Sequence, residues 1–164
     1  MSVLAIREVL TYPHPILKER AREATAEEAE VALTDLLDTM LSHDRCVGIA
    51  APQIGIPLRV ALVDISSHPH GADSHGLIRL VNPVITSQSE GSKVSREGCL
   101  SLPDLTANVR RPRKATVETR GESFAVSGFE ARCMLHEIDH LDGILFLDRV
   151  ASITDDIFRR GDPA

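Results

Sequence analysis

The sequence has no long apolar run, no basic block and few cysteines, and each absence excludes a class of protein. No window approaches the roughly 20 apolar residues that cross a bilayer. The opening MSVLAIREVLTYPHP has no basic region leading into an apolar stretch. We therefore expect no membrane segment and a cytoplasmic protein. The formal net charge of -6 argues against a protein that wraps nucleic acid.

Two small basic clusters could still make a local, transient contact with a ribonucleoprotein such as the ribosome. They are Arg110, Arg111, Arg113 and Lys114, and the tail pair Arg159 and Arg160. We expect both to be ordinary solvated charge. The tail that carries the second cluster, ASITDDIFRRGDPA, is short and only faintly helical.

Length and composition indicate one soluble globular domain over residues 1–164. Hydrophobic residues make up 43% and charged residues 26% of the chain, and no linker, repeat or low-complexity tract divides it. The three cysteines, Cys46, Cys99 and Cys133, have no short-spaced framework. Structural disulfides are therefore not expected, and one thiolate becomes a candidate metal ligand.

Local patterns predict two helices and several strands. Thr25 and Glu28 form a capping box before a helical apolar stripe over about 26–42. The β-branched segments 58–65 and 76–85 predict strands, 114–120 and 122–127 predict a hairpin, and a second helix follows over 128–141. Segregated helices and antiparallel pairs indicate the α+β class.

The strongest chemical motif is HEIDH, residues 136–140, on the second predicted helix. Two histidines four positions apart lie on one face of a helix, so His136 and His140 can converge on one ion. Glu137 then projects beside that ion and can act as general acid and base. The alternative is a helix with incidental polar residues, but Leu135, Ile138 and Leu141 place this face next to a core.

A third ligand is needed, and after His140 the sequence has no further His or Glu. Cys99, in REGCLSLP, is the natural candidate because Gly98 and Pro103 let the backbone bend towards the helix. Three protein ligands leave one position open, which is typical of a catalytic metal site. A Cys and two His accept Fe(II), Zn(II), Ni(II) or Co(II).

A third segment with candidate site residues is GIAAPQIG, residues 48–55. Its small residues let extended backbone approach a ligand closely, and Gln53 offers an amide that could donate to a developing oxyanion. Taken alone, the segment could equally be a tight loop.

Together these segments resemble the peptide deformylase family, whose signatures are GxGxAAxQ, EGCLS and QHExDH. Here they read CVGIAAPQ (46–53), EGCLS (97–101) and LHEIDH (135–140). The likeness extends from VLTYPHPIL at 9–17 to HLDGILFLDR at 140–149. The resemblance implies mostly antiparallel sheets packed around a central metal-binding helix. It also implies removal of the formyl group from the N-terminal formyl-methionine of new polypeptides, releasing formate, with Fe(II) as the native metal.

The resemblance also implies a role for each matched position. The metal ligands would be Cys99, His136 and His140, and the acid/base residue Glu137. Gln53 and the backbone N–H of Leu100 would form the oxyanion hole. Val47 and Gly48 would lie beside the bound peptide, Glu97 would pair with Arg111 and shape the methionine pocket, and Asp139 would support the histidines.

Two signature positions depart from the family pattern. Cys46 replaces the first Gly, which adds a side chain near the substrate strand, and Leu135 replaces the Gln before the first ligand His. Two alternatives follow: a divergent member acting on another small N-acyl substrate, and a non-catalytic metal-binding module in which Cys46 or another residue closes the fourth position.

A second histidine group lies in the segment 66–75, where His68, His70 and His75 alternate with Pro69 and Gly71. It could bind another metal ion. The interspersed turn residues favour a flexible loop instead.

Overall fold

A computed structural model describes residues 6–162, which form two α-helices and nine strands. The helices are α1 (Ala26–Leu41) and α2 (Gly128–Leu141), and the strands are β1 (Gly48–Ala50), β2 (Val60–Val63), β3 (Ile78–Val81), β4 (Val84–Gln88), β5 (Ser92–Cys99), β6 (Leu102–Pro112), β7 (Lys114–Thr119), β8 (Glu122–Ser127) and β9 (Ile157–Arg159). Short 3-10 helices cover Pro15–Lys18, Ala51–Ile54 and Phe146–Arg149. No helix in 6–162 is both long and apolar enough to cross a membrane.

The strands form three antiparallel sheets of three strands each, in the orders β1-β2-β3, β4-β7-β8 and β5-β6-β9. The α+β prediction is therefore confirmed.

Helix α2 lies at the centre and is buried on almost every side, with both apolar and charged residues enclosed. Ala131, Met134, Ile138 and Leu141 are at most 3% exposed and share one core with residues of β2, β3, β7 and β8. A helix this buried has little solvent-facing surface. Polar residues on it must therefore find partners inside the protein.

Helix α1 forms as the sequence predicts. The Thr25 side chain accepts from the backbone N–H of Glu28, and Glu28 accepts from the N–H of Thr25, so both capping bonds are present. Its buried stripe, including Leu33 and Leu36, packs against a second core that β1 and β2 help to form.

The predicted strand 76–85 is two strands, because the chain turns at Asn82–Pro83. Asn82 has φ 49, in the left-handed region, and its amide oxygen accepts from Ala24 N–H at 2.9 Å while its amide nitrogen donates to Ala24 O at 3.0 Å. Pro83 gives no backbone N–H to a ladder. The residues before and after Asn82–Pro83 favour strands, so the sequence pattern predicts one continuous strand across this turn.

The tail and the segment 92–112 also differ from expectation. The faintly helical tail contains strand β9, in which Phe158 lies opposite Thr106 of β6. We expected a short bend around Cys99, but this segment is part of a long β5–β6 hairpin. These two features build one wall of the site.

Candidate active site

The structure brings Cys99, His136 and His140 together although they come from two elements. Their ligand atoms all lie within 4.8 Å of one another, and Cys99 Sγ is 3.3 Å from His140 Nε2. The histidines lie one helical turn apart on α2, and Cys99 is the last residue of β5. Within residues 6–162 this is the only such cluster of His, Cys, Asp and Glu, and Cys46 is outside it.

Glu97 fixes the orientation of the first histidine. Its Oε1 is 2.9 Å from His136 Nδ1, which leaves Nε2 of that ring to face the cluster. Cys99 and Glu97 occupy alternate positions of β5, so both side chains point to the same side of the strand. His140 Nδ1 is buried and has no hydrogen-bond partner among the described residues.

Two arginines compensate the buried charge of Glu97. Arg111 makes a bidentate pair with it at 2.6 and 2.9 Å, and Arg132 Nη1 donates to Oε2 at 2.6 Å. Burial by itself would raise the pKa of Glu97. The contacts with His136 and Arg111 outweigh that effect and lower it well below its usual range. Glu97 is therefore held as a carboxylate.

Asp139 extends this network away from the histidines. Arg111 Nη1 donates to its Oδ2 at 2.9 Å, and Arg149 makes a bidentate pair with it at 2.5 and 2.7 Å. Among the described residues, hydrogen bonds link Asp139 to His136 only through Arg111 and Glu97, and none links it to His140. Arg111 is 3% exposed, so the expectation that it belongs to a solvated basic cluster is wrong.

Glu137 lies in the site without a fixed partner. Its side chain is buried, and Oε1 has no hydrogen-bond partner among residues 6–162. A Cβ added to Gly48 would lie 2.6 Å from Glu137 Oε2, so only glycine leaves room for this carboxylate. Burial raises the pKa of Glu137 to about 7, against the lowering effect of His136.

The surroundings of the two histidines change their pKa values in opposite directions. Burial disfavours the charged form of His136, but Cys99 and Glu97 raise its pKa well above the usual value. Burial and the neighbouring His136 lower the pKa of His140 well below it. A cation that displaces the proton from His136 would satisfy both rings.

Gln53 is held beside Cys99 by the short helix that follows β1. Its Oε1 accepts from Ala50 N–H at 3.0 Å, and its Nε2 lies 3.3 Å from Cys99 Sγ and 3.1 Å from Ser101 Oγ. The bond from Ala50 sets the amide so that its N–H groups face the cluster. Leu100 lies in the two-residue turn between β5 and β6.

These groups line an open cavity of about 590 Å³. Its walls include most of the residues singled out in the sequence: Val47, Gly48, Gln53, Glu97, Cys99, Leu100, His136 and Glu137. His140 and Arg111 are buried behind these walls. The size is typical of a pocket for a small ligand or a short peptide.

The two departures from the family signatures have different surroundings. Cys46 lines the cavity and its Sγ donates to Gly48 O at 3.2 Å. Burial raises the pKa of Cys46 to about 12, so the group stays a thiol. Leu135 is 5% exposed and belongs to the core around α2. Its apolar side chain fits that environment.

The histidine segment 66–75 has partners other than a metal. His68 stacks on Phe129 with ring centroids 4.1 Å apart, and His75 Nδ1 is 2.7 Å from Glu130 Oε1. These contacts tie the segment to the start of α2.

Sequence reasoning missed Arg132, Arg149, Arg96 and Arg160 as site residues. Arg132 precedes His136 by four positions and so lies on the same face of α2, where a charged residue signals a buried partner, so it could have been found. Arg149 reaches Asp139 from a 3-10 helix. Arg160 follows β9 and reaches the cavity only because β9 pairs with β6, and no local pattern encodes that pairing. Arg96 lies on β5 next to Glu97 and packs on Phe158 of β9.

The donor set fits a divalent cation. One thiolate and two imidazoles, with one imidazole oriented by a carboxylate, are ligands that Zn, Fe, Ni and Co accept. A buried carboxylate stands beside them in an open cavity. This arrangement is typical of a metal-dependent hydrolase.

Comparisons with known proteins agree with this class. A family model described as polypeptide deformylase matches residues 6–156. The chain is 38% identical over 165 residues to the peptide deformylase of Bartonella tribocorum, covering 96% of this chain and 91% of that protein. It is 40% identical over 157 residues to that of Natranaerobius thermophilus, covering 92% and 96%.

Solved structures give the same result. The crystal structure of peptide deformylase from Thermotoga maritima has a TM-score of 0.78 and 30% identity, covering 90% of this chain and 99% of that one. A Met-Ala-Ser complex of the Acinetobacter baumannii enzyme has a TM-score of 0.79 and 35% identity, covering 92% and 100%. The chain belongs to the polypeptide deformylase family. It is a metal-dependent enzyme that acts on formylated peptides.

Proposed function

We propose that this chain hydrolyses the formyl group from the N-terminal formyl-methionine of nascent polypeptides, with Cys99, His136 and His140 as the metal ligands. The observation that carries this proposal is a buried carboxylate without a partner, Glu137, beside a Cys/His/His cluster in an open cavity. A cation held by these ligands supplies Lewis acidity and brings the pKa of water towards neutrality. The native cation is Fe(II), which Zn(II), Ni(II) or Co(II) can replace.

Glu137 moves the proton in this proposal. It accepts a proton from the attacking water and delivers it to the nitrogen that leaves the formyl carbon. The products are formate and a free N-terminal amine. Burial raises the pKa of Glu137 above its usual value, which favours a carboxyl group that must first gain and then lose a proton.

Gln53 and Leu100 stabilise the negative charge that develops on the formyl oxygen. The donors are Gln53 Nε2, which lies 3.3 Å from Cys99 Sγ, and the backbone N–H of Leu100, next to Cys99 in the chain. Donors fixed in advance in this way are a large source of catalytic rate. Val47 and Gly48 lie along the peptide. Glu97, paired with Arg111, orients His136 and shapes the methionine pocket.

The test is Glu137→Gln, which keeps the size of the side chain and removes its basicity. Turnover of formyl-Met-Ala-Ser by anaerobically purified protein should fall about 10²- to 10⁴-fold, with the metal content unchanged. Glu130→Gln is the matched control, because Glu130 is an equally buried carboxylate on α2 that binds His75 and does not line the cavity. Full activity of Glu137→Gln would overturn the assignment.

Metal analysis of the same preparation tests the cation. We expect one iron per chain, and loss of iron together with activity in Cys99→Ala. Acetyl-Met-Ala-Ser in the same free-amine assay tests the alternative substrate class. Its turnover at a rate close to that of the formyl peptide would favour a divergent acyl specificity.

We also propose that the protein acts in the cytoplasm, where new chains emerge, and contacts the ribosome transiently through exposed basic residues. Arg110, Arg113 and Lys114 are exposed and remain available for that contact. Co-sedimentation with ribosomes, lost on raising the salt concentration, would support it; absence of co-sedimentation at low salt would contradict it.

A further inference from the structure

Three arginines line the mouth of the cavity and take no part in the network around Glu97. They are Arg45 on the β1 side and Arg96 and Arg160 on the β5–β6–β9 side. None of them forms an ion pair with a described carboxylate. Among residues 6–162, Asp44 is the one acidic residue that lines the cavity apart from Glu97 and Glu137. The chain as a whole has a net charge of -6. Composition alone therefore does not explain why positive charge is concentrated at the mouth of the cavity.

Arg96 is held rigidly and still has hydrogen-bonding capacity. Its guanidinium carbon lies 3.7 Å from the ring centroid of Phe158, and its Nη1 donates to Thr106 Oγ1 and Asp162 O, both at 3.2 Å. Its Nη2 is buried and has no partner among residues 6–162. Such an N–H group is normally matched by a protein group, water or ligand.

Arg160 lies against the strand that carries Cys99. Its Nε donates to Pro103 O at 2.5 Å, and Nη2 is 3.4 Å from both Cys99 O and Leu102 O. A Cβ on Gly98 would lie 3.1 Å from Nη2, so the guanidinium packs directly over this glycine. These bonds are to carbonyl groups, and the positive charge is not compensated.

The position of the mouth determines which residues of a bound substrate lie near these arginines. The formyl group must reach the buried cluster, so the next residues of the substrate leave towards solvent past the exposed Arg45 and Arg160. Arg160 Nη2 lies 3.4 Å from the carbonyl oxygen of Cys99, and an extended peptide advances about 3.3 Å per residue. The first two or three residues after methionine therefore pass this wall of the cavity.

We propose that Arg45, Arg96 and Arg160 select formyl-methionyl peptides with acidic side chains at the two or three positions after methionine. This inference rests on the proposed function, because it requires the substrate's N-terminus to lie at the Cys/His/His cluster. The charges act on encounter and binding and not on the chemical step.

The experiment compares kcat/KM for three C-terminally amidated peptides, formyl-Met-Ala-Ser, formyl-Met-Asp-Glu and formyl-Met-Lys-Lys. The amide removes the terminal carboxylate, and a free-acid form of formyl-Met-Ala-Ser measures the effect of that group separately. We expect the acidic peptide to exceed the basic one by about tenfold or more at low salt. The difference should shrink on going from about 0.05 M to about 0.5 M NaCl.

Arg160→Gln should reduce the ratio of acidic to basic kcat/KM by about fivefold, as expected for one charge a few ångströms from the peptide in a high-dielectric mouth. Arg159→Gln is the matched control. It removes the same charge from the neighbouring position at the end of β9, and Arg159 does not line the cavity. Arg45→Asn provides a second variant on the opposite wall, in a residue type that accepts the φ of 61 found there.

The outcomes are distinct. Equal rates for acidic and basic peptides, or equal effects of Arg160→Gln and Arg159→Gln, would overturn the inference while leaving the proposed function intact. Absence of turnover of every peptide would overturn the proposed function. If no peptide is turned over, the charge preference is still measured directly from the binding of the same peptides, followed in parallel by fluorescence anisotropy. A preference seen only with the free-acid peptide would assign the arginines to a terminal carboxylate and overturn the inference.

Discussion

The buried ion pairs around Arg111 allow a quantitative prediction. Arg111→Met keeps most of the side-chain volume and removes three charge-assisted hydrogen bonds, two to Glu97 and one to Asp139. Breaking a buried pair by removing one partner costs about 3–5 kcal/mol. Glu97 keeps Arg132, and Asp139 keeps Arg149, so we expect the low end, about 3 kcal/mol of unfolding free energy.

The assay is urea unfolding followed by circular dichroism. A loss of about 3 kcal/mol should lower the urea midpoint by about 1–2 M and the melting temperature by about 6–12 °C. Measurements with and without a chelator separate the ion pairs from any change in metal affinity. That affinity should also weaken by about tenfold or more, because Glu97 orients His136.

The neighbouring residue gives the control. Arg110 is exposed on β6 and donates to Ser92 Oγ at 3.1 Å, so Arg110→Met should change stability by no more than about 0.5 kcal/mol. If Arg111→Met were as mild as Arg110→Met, the network would add nothing to stability, and the reasoning from burial and pairing would be refuted.

Two further predictions concern the space beside Glu137 and the core under α1. In Gly48→Ala the new Cβ would lie 2.6 Å from Glu137 Oε2, so the variant should displace this carboxylate and lower kcat at least tenfold with the metal retained. Gly91→Ala is the control: its Cβ would meet nothing closer than 3.9 Å, and its kcat should be unchanged. Normal kcat in Gly48→Ala would show that the carboxylate can move without loss. Leu36→Ala, fully buried, should cost about 2–5 kcal/mol in chemical denaturation, whereas Leu41→Ala, 73% exposed, should cost less than about 0.5 kcal/mol; similar losses for both would contradict the placement of α1.

Local periodicity predicted the parts of the fold that depend on neighbours in the chain. The bounds of α2 follow from apolar residues at helical spacing, and α1 from its capping box and stripe. The metal cluster was accessible because a helix places His136 and His140 on one face by geometry alone. Cys99 needed chemical reasoning, since its approach to α2 depends on tertiary packing.

The parts that could not be predicted depend on contacts between distant strands. Strand β9 exists because Ile157–Arg159 pairs with β6, and a three-residue strand has no usable periodicity of its own. The family resemblance correctly paired Arg111 with Glu97, but the expectation that Arg111 is solvated failed for a different reason. On β6 it follows Ala107 and Val109 at alternate positions, all three buried, and this period-two pattern was visible in the sequence. Reading RRPRK as a surface cluster concealed it.

The position of β9 has a practical consequence for anyone who purifies this protein. A polypeptide fused after this strand would start near Arg160, which lines the cavity. An affinity tag attached there, particularly one rich in histidine, could compete for the metal or shield the guanidinium groups. Kinetic comparisons are therefore best made on protein from which such an extension has been cleaved.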